Sequence, residues 1–156
     1  MVMDYELNEG LFSKVKDVSW EDTLDKLEYE SIRSACKVIE KDAEMYPTFV
    51  LESTYLPGTI GDAYDEVFDN FSREIYNVDV YVSFTSFSNT FGRHKDVNDV
   101  LIVGSRGEVI YKFDDGSEAL VKPGDALLIR EGVYHTPVVL GPRITLSFTT
   151  VLKESK

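Results

Sequence analysis

"HKDVNDVLIVGSRGEVIYKF", residues 94–113, opens on a histidine with a carboxylate two positions later and then runs through two apolar stretches split by a turn. "DVLIVG" and "GEVIYKF" are rich in β-branched and aromatic residues, and "GSRG" between them is turn chemistry, so the stretch predicts two short strands. The texture continues on both sides. Before it stands "VDVYVSFTSF" (78–87); after it come "EALV" (118–121), "DALLI" (125–129), "YHTPVVL" (134–140) and "RITLSFTTVL" (143–152), separated by "DDGS", "KPGD", "REG" and "LGP". Seven short strands at close spacing predict a β-sandwich or small barrel with helices laid against one sheet.

Those helices are expected earlier in the chain. From Ser19 to Met45, apolar residues recur at three- and four-residue intervals among many charges, which predicts one or two amphipathic helices, with Ser19 and Asp22 as a capping box. "YPTFVLESTYL" (46–56) reads as a strand, Pro57 and Gly58 break it, and helical spacing returns over 62–76 through Ala63, Val67 and Phe71. These helices are expected to pack rather than to catalyse. The 156 residues fit one domain, with 1–77 a mainly helical cover containing one strand and 78–152 the β-barrel core.

Composition narrows the function classes. A formal charge of −12 repels nucleic-acid backbones and anionic lipids, so neither is an expected partner. Small molecules or basic proteins and peptides suit it better. No apolar run approaches the roughly 20 residues of a membrane span. The acidic opening lacks the features of an export signal, and the lone Cys36, placed in the helical stretch as a core residue, excludes an internal disulfide. A reducing cytoplasm is the expected location.

Only two histidines are present, His94 and His135. In an extended "HKD", His94 and Asp96 point to one face and Lys95 to the other. With His135 from a distant strand they would place two imidazoles and one carboxylate on one side of a metal, a set suited to ferrous iron with open positions. On its own, H-x-D is a weak signal whose default reading is a structural histidine bonded to a nearby acid. Asp99 falls on the opposite strand face from Asp96 and reads as structural; Arg93 and Lys95 read as solvent-facing, and Tyr134 as a packing residue.

The order of H-x-D, a glycine-containing turn, "PGD" (123–125) and "GVYH" (132–135) resembles the cupin superfamily, in particular the cupin-like, JmjC-related 2-oxoglutarate oxygenases. The resemblance covers Ser83 to Phe148. It implies a mostly β fold with N-terminal helices, a double-stranded β-helix or jelly-roll barrel, with His94, Asp96 and His135 as iron ligands. It also implies Fe(II) as cofactor and 2-oxoglutarate as co-substrate, decarboxylated to succinate while a C–H bond is hydroxylated. Related enzymes modify protein side chains.

One family position departs from the pattern. If Ser105 and Arg106 form a two-residue hairpin, Ile102 faces Val109 and Val100 faces Tyr111, so Val109, Tyr111 and Phe113 share the pocket face while Lys112 points away. Val109 then occupies the position where this branch places a basic residue. Arg143 is the alternative cation, because Arg143 with Thr145 resembles the R-x-S pattern of other 2-oxoglutarate oxygenases. A two-residue Gly141-Pro142 turn would turn Arg143 outward, and a three-residue loop over 140–142 would turn it inward beside Thr145 and Ser147. With Arg143 inward, Tyr111 and Thr145 become its hydroxyl partners in holding the co-substrate. Two rival functions stay open: a metal cupin that binds or isomerises a small molecule without 2-oxoglutarate, and an interaction module in which both histidines are ordinary polar residues.

Overall fold

The computed structural model describes residues 3–32, 48–52 and 55–151, and the backbone of 36–39. In chain order the elements are β1 (Tyr5–Asn8), a 3-10 turn (Lys14–Asp17), α1 (Trp20–Ile32), β2 (Cys36–Ile39), β3 (Thr48–Leu51), α2 (Thr59–Asn70) and β4 (Ile75–Ser83). There follow β5 (Val100–Arg106), β6 (Val109–Phe113), β7 (Glu118–Val121), β8 (Ala126–Ile129), β9 (His135–Val139) and β10 (Arg143–Thr150). They form two antiparallel sheets, a seven-stranded one in the order β1-β8-β5-β10-β4-β3-β2 and a three-stranded one in the order β7-β6-β9. No helix among the described residues is long and apolar enough to cross a membrane.

Each expected strand from 78 onward is present, but the N-terminal part carries more strand than its spacing predicts. Residues 3–77 hold β1, β2, β3 and the start of β4 instead of one strand. Helix α1 covers Trp20–Ile32, and Cys36 lies in a strand, not a helix, because pairing of Cys36–Ile39 with Leu51–Thr48 overrides local helical spacing. Residues 33–35 and 40–45 of the expected helical region lie outside the described residues. The second helix covers 59–70, beginning directly after Gly58, and the chain is extended again at Phe71.

Helix α1 also buries a face that apolar spacing does not predict. Thr23, Lys26 and Glu30 are fully buried, while Leu24 is half exposed and Ile32 largely so. Lys26 donates to Glu30, at 2.6 Å, and to the carbonyls of Glu52 and Tyr55, and the second oxygen of Glu30 accepts from Glu52 N–H. A polar face is tolerated inside because every donor and acceptor on it has a partner. The expected cap at Ser19 is half formed: its Oγ accepts from Asp22 N–H, but the Asp22 carboxylate turns to Thr59.

The large sheet separates two cores. Against the helices lie Val80, Val82, Ile144, Leu146 and Phe148, packed with Phe12, Val15, Ile60, Ala63 and Val67. Between the sheets lie Val100, Ile102, Val109, Tyr111, Phe113, Leu127 and Ile129. The central strand β10 is therefore buried on both faces, so Arg143, Thr145 and Ser147 face the space between the sheets and not solvent.

Neither expected hairpin exists. Strand β5 pairs with β8 and β10, and β6 pairs with β7 and β9, so the turn at 107–108 carries the chain from one sheet to the other. The link from β9 to β10 makes the reverse crossing. The two crossings touch at Gly107, whose φ of +72° and whose position leave no room for a side chain: a Cβ there would sit 2.1 Å from the Pro142 carbonyl oxygen. The side-chain alternation survives the change of partner. Val109, Tyr111 and Phe113 are buried and Lys112 is exposed, as the pattern predicts.

Candidate metal and anion site

His94 and His135 are brought together by backbone pairing. His94 N–H donates to the His135 carbonyl at 3.0 Å and His135 N–H to the His94 carbonyl at 2.8 Å, and Gly132 N–H donates to the Asp96 carbonyl at 2.8 Å. Segment 94–96 is therefore an isolated bridge beside β9 and not the regular strand expected of it. The side chains still converge. Asp96 Oδ2 lies 3.5 Å from His135 Nε2 and 4.0 Å from His94 Nε2, and one potential ligand atom from each of the three residues lies within 4.8 Å of the others.

The state of each imidazole follows from its other nitrogen. His94 Nδ1 lies 2.8 Å from the Gly92 carbonyl and His135 Nδ1 lies 2.9 Å from the Val133 carbonyl. A carbonyl only accepts, so each neutral ring carries its proton on Nδ1 and presents a bare lone pair at Nε2. Burial holds the His135 imidazole below its ordinary pKa, opposed by the Val133 carbonyl and Asp96, which favours that neutral form. With both rings neutral, two nitrogen lone pairs and a carboxylate oxygen face one another. That donor set fits a divalent cation, and carbonyl-anchored imidazoles are a common outer support of metal ligands.

A second group lines the same pocket. Arg143 is 3% exposed; its Nε donates to Ser83 Oγ at 2.9 Å, its Nη1 to Thr145 Oγ1 at 3.1 Å, and its charge lies 5.4 Å from the Tyr81 ring centre. Among the described residues no carboxylate pairs with it. Burial pulls its pKa down, opposed by Tyr111 and Tyr81, yet a guanidinium stays protonated inside proteins. Burial likewise pushes the Tyr111 and Tyr81 phenols up, so both are neutral hydroxyls. A buried cation without a carboxylate is a costly arrangement that an anionic ligand would complete.

The pocket holds about 480 Å³ of space, its open mouth included, and its lining takes in His94, Asp96, His135, Tyr111 and Arg143. Thr145 is not in the lining; it stands behind Arg143 and orients it. Val109 is buried among apolar residues and Lys112 faces out, so Arg143 is the cation that reaches this space. Arg93 is exposed as expected, and on the surface it forks onto Asp114 at 2.6 and 3.0 Å and covers Tyr134 at 3.9 Å. Asp99 is structural as expected, bonded to Arg73, Arg130 and the Glu131 N–H.

No protein-family model matches the sequence, and no curated protein matches it. Solved structures do match. The ribosomal oxygenase YcfD from Escherichia coli aligns over 97% of this chain and 48% of its own, at 14% identity and a TM-score of 0.68. The same enzyme in complex with cobalt and 2-oxoglutarate aligns over 97% and 49%, at 15% identity and 0.69, and with cobalt and succinic acid at 16% and 0.69. The chain shares its fold with this part of YcfD. This chain spans about half the length of YcfD.

The pocket also has members to which the sequence assigns no ligand role. Tyr81, Ser147, Thr90 and Phe91 all line it. For Ser147 the signal was present, since it shares the parity of Arg143 on β10. Tyr81 alternates with Val80 and Val82 on β4, so its face was also readable. Thr90 and Phe91 sit on an irregular segment whose path no periodicity encodes.

Proposed function

We propose that the chain is an Fe(II)- and 2-oxoglutarate-dependent oxygenase, built on the double-stranded β-helix form of the cupin fold, that hydroxylates a protein or small-molecule substrate in the cytoplasm. The observation that carries this is the presence, in one pocket, of three converging metal-type lone pairs and a buried guanidinium without a carboxylate. In this reading His94, Asp96 and His135 hold the metal. The fork of Arg143 binds the far carboxylate of 2-oxoglutarate through parallel hydrogen bonds, with Tyr111 beside it and Thr145 behind.

When bound, ferrous iron supplies dioxygen activation coupled to conversion of 2-oxoglutarate to succinate and carbon dioxide, the second oxygen atom entering the substrate C–H bond. The chain's own work is to orient and to exclude water. The Gly92 and Val133 carbonyls accept from Nδ1 and so aim each Nε2 at the metal position, and Val100, Ile102 and Tyr81 line the pocket that receives the co-substrate. The net charge of −12 supports a basic protein or peptide as the substrate class.

A second reading, a metal cupin without 2-oxoglutarate chemistry, draws on the apolar Val109 at the family's usual basic position. Anaerobic purification with Fe(II), followed by iron retention and succinate release, separates the two. The proposal expects iron bound by the wild type and lost in His135→Ala. It expects Arg143→Ala to keep its iron while its half-saturating 2-oxoglutarate concentration rises about 100-fold, the usual cost of truncating one partner of a buried charge pair. Iron bound with no dependence on Arg143 would favour the second reading.

A further inference from the structure

Arg143 lies in a cross-strand row. It pairs with Ser83 on β4, and Ser83 pairs with Thr48 on β3, so three adjacent strands of the large sheet bring these residues to one level. Their side chains are bonded in the same order. Arg143 Nε donates to Ser83 Oγ at 2.9 Å, Ser83 Oγ lies 2.8 Å from Thr48 Oγ1, and Thr48 Oγ1 bonds to the Asn89 carbonyl. Ser83 and Thr48 are fully buried and Arg143 nearly so.

The ends of this chain set its direction. A guanidinium only donates and a carbonyl only accepts, so the Ser83 proton points to Thr48 and the Thr48 proton to Asn89. Each link is the sole arrangement that satisfies both ends, and hydrogen bonds aligned head to tail strengthen one another. The far end is the pocket rim. Asn89 precedes Thr90 and Phe91, which line the pocket, and the segment from Phe84 to Phe91 carries the exposed rings of Phe87 and Phe91, while Phe84 packs against Trp20 and Phe49. Beyond Thr48 the rim is tied by Thr90 Oγ1, which donates to the Pro137 carbonyl at 3.4 Å and accepts from Gly92 N–H at 3.1 Å.

We propose that Ser83 and Thr48 are positioning residues for Arg143, and that through them the cation that receives an anionic ligand is joined to the rim segment 84–91. A ligand carboxylate on Arg143 then fixes the guanidinium, and with it the hydroxyl chain and the Asn89 carbonyl. The rim is ordered as the anion site fills, which places the apolar rings for whatever is presented at the mouth. By reciprocity, a partner that orders the rim tightens the anion. The identity of that anion as 2-oxoglutarate rests on the proposed function; the positioning of Arg143 by Thr48 does not.

The test has two arms on the full chain, comparing wild type, Thr48→Val, which keeps the shape and removes the hydroxyl, and Thr48→Ser, which restores it. In the first arm, without ligand, hydrogen exchange of the Arg143 Nε proton is followed by nitrogen-15 NMR. Exchange is expected to be faster in Thr48→Val, although Thr48 does not touch Arg143, and to return towards wild type in Thr48→Ser. Unchanged exchange in Thr48→Val, with core amides confirming the fold, overturns the proposal.

In the second arm, cobalt-loaded protein is titrated with 2-oxoglutarate while amide exchange is read over 84–91. Thr48→Val is expected to bind about tenfold more weakly, the upper end for one neutral hydrogen bond, with metal affinity unchanged and rim protection lost. Wild-type affinity and rim protection in Thr48→Val also overturn it. If the wild type fails to bind 2-oxoglutarate while the first arm behaves as expected, the co-substrate reading fails and the positioning role stands.

Discussion

Each histidine of the site is oriented by its own neighbourhood: Gly92 and Val133, two residues before His94 and His135, offer the carbonyls that hold their Nδ1 protons. Asp96 supplies the one negative charge of the three, so Asp96→Asn should weaken cobalt or Fe(II) binding by more than about 100-fold, the upper end of what changes in a metal's outer support cost. Competition titration against a chelator measures this, and the fold should be unaffected because the Asp96 side chain is a third exposed. Legibility at this scale was uneven. The convergence of His94 and Asp96 followed from two-residue spacing, even though the segment is a bridge and not a strand. Arg143 is inward after the three-residue link 140–142 that predicts it, but residues 139 and 143 do not pair, because β9 and β10 lie in different sheets. Parity along a strand is local and readable; the partner of a strand is not.

Among the elements, α1 departs furthest from its pattern. Its apolar residues suggest an ordinary amphipathic helix, yet the Lys26–Glu30 pair is what it buries, tied to the chain after β3. Burial pushes Lys26 down and Glu30 up, and their mutual bond opposes both shifts. Removing one partner leaves the other charge uncompensated, so Lys26→Met should destabilise by about 3–5 kcal/mol, and adding Glu30→Leu should recover part of that loss. Urea unfolding of both variants checks the sign of the coupling. A single sequence offers no means to foresee this pair, since i,i+4 Lys and Glu are far more often a solvated surface couple. The turn at "GSRG" misled in the same way: its residues mark a reversal, but not whether the chain returns along the same sheet or crosses to the other.

Across the whole molecule, Asp99 ties distant parts of the chain. It bonds Arg73 before β4, Arg130 after β8 and the Glu131 N–H, and its carbonyl accepts from Thr150 N–H and Oγ1 at the end of β10. Burial alone would raise its carboxyl, but the arginines and the Glu131 N–H outweigh that and hold it below the ordinary value of 3.8. A depressed folded value means that the stabilisation is complete above the unfolded pKa and is lost as pH falls through the folded one. Wild type should therefore exceed Asp99→Asn in stability by a constant margin above about pH 5, and the margin should close below about pH 4. Thermal unfolding across that range measures it. At this scale the strand content from residue 78 onward was plain in the alternation and turns. The partition into seven and three strands was not, because antiparallel neighbours at long sequence separation leave no trace in local pattern.

The most direct test of the account is a titration of 2-oxoglutarate into anaerobic protein with and without divalent metal. The account predicts binding that requires metal held by His94, Asp96 and His135, and that Arg143→Ala weakens about 100-fold. Equal binding to metal-free protein, or metal retained equally after His135→Ala, would contradict it.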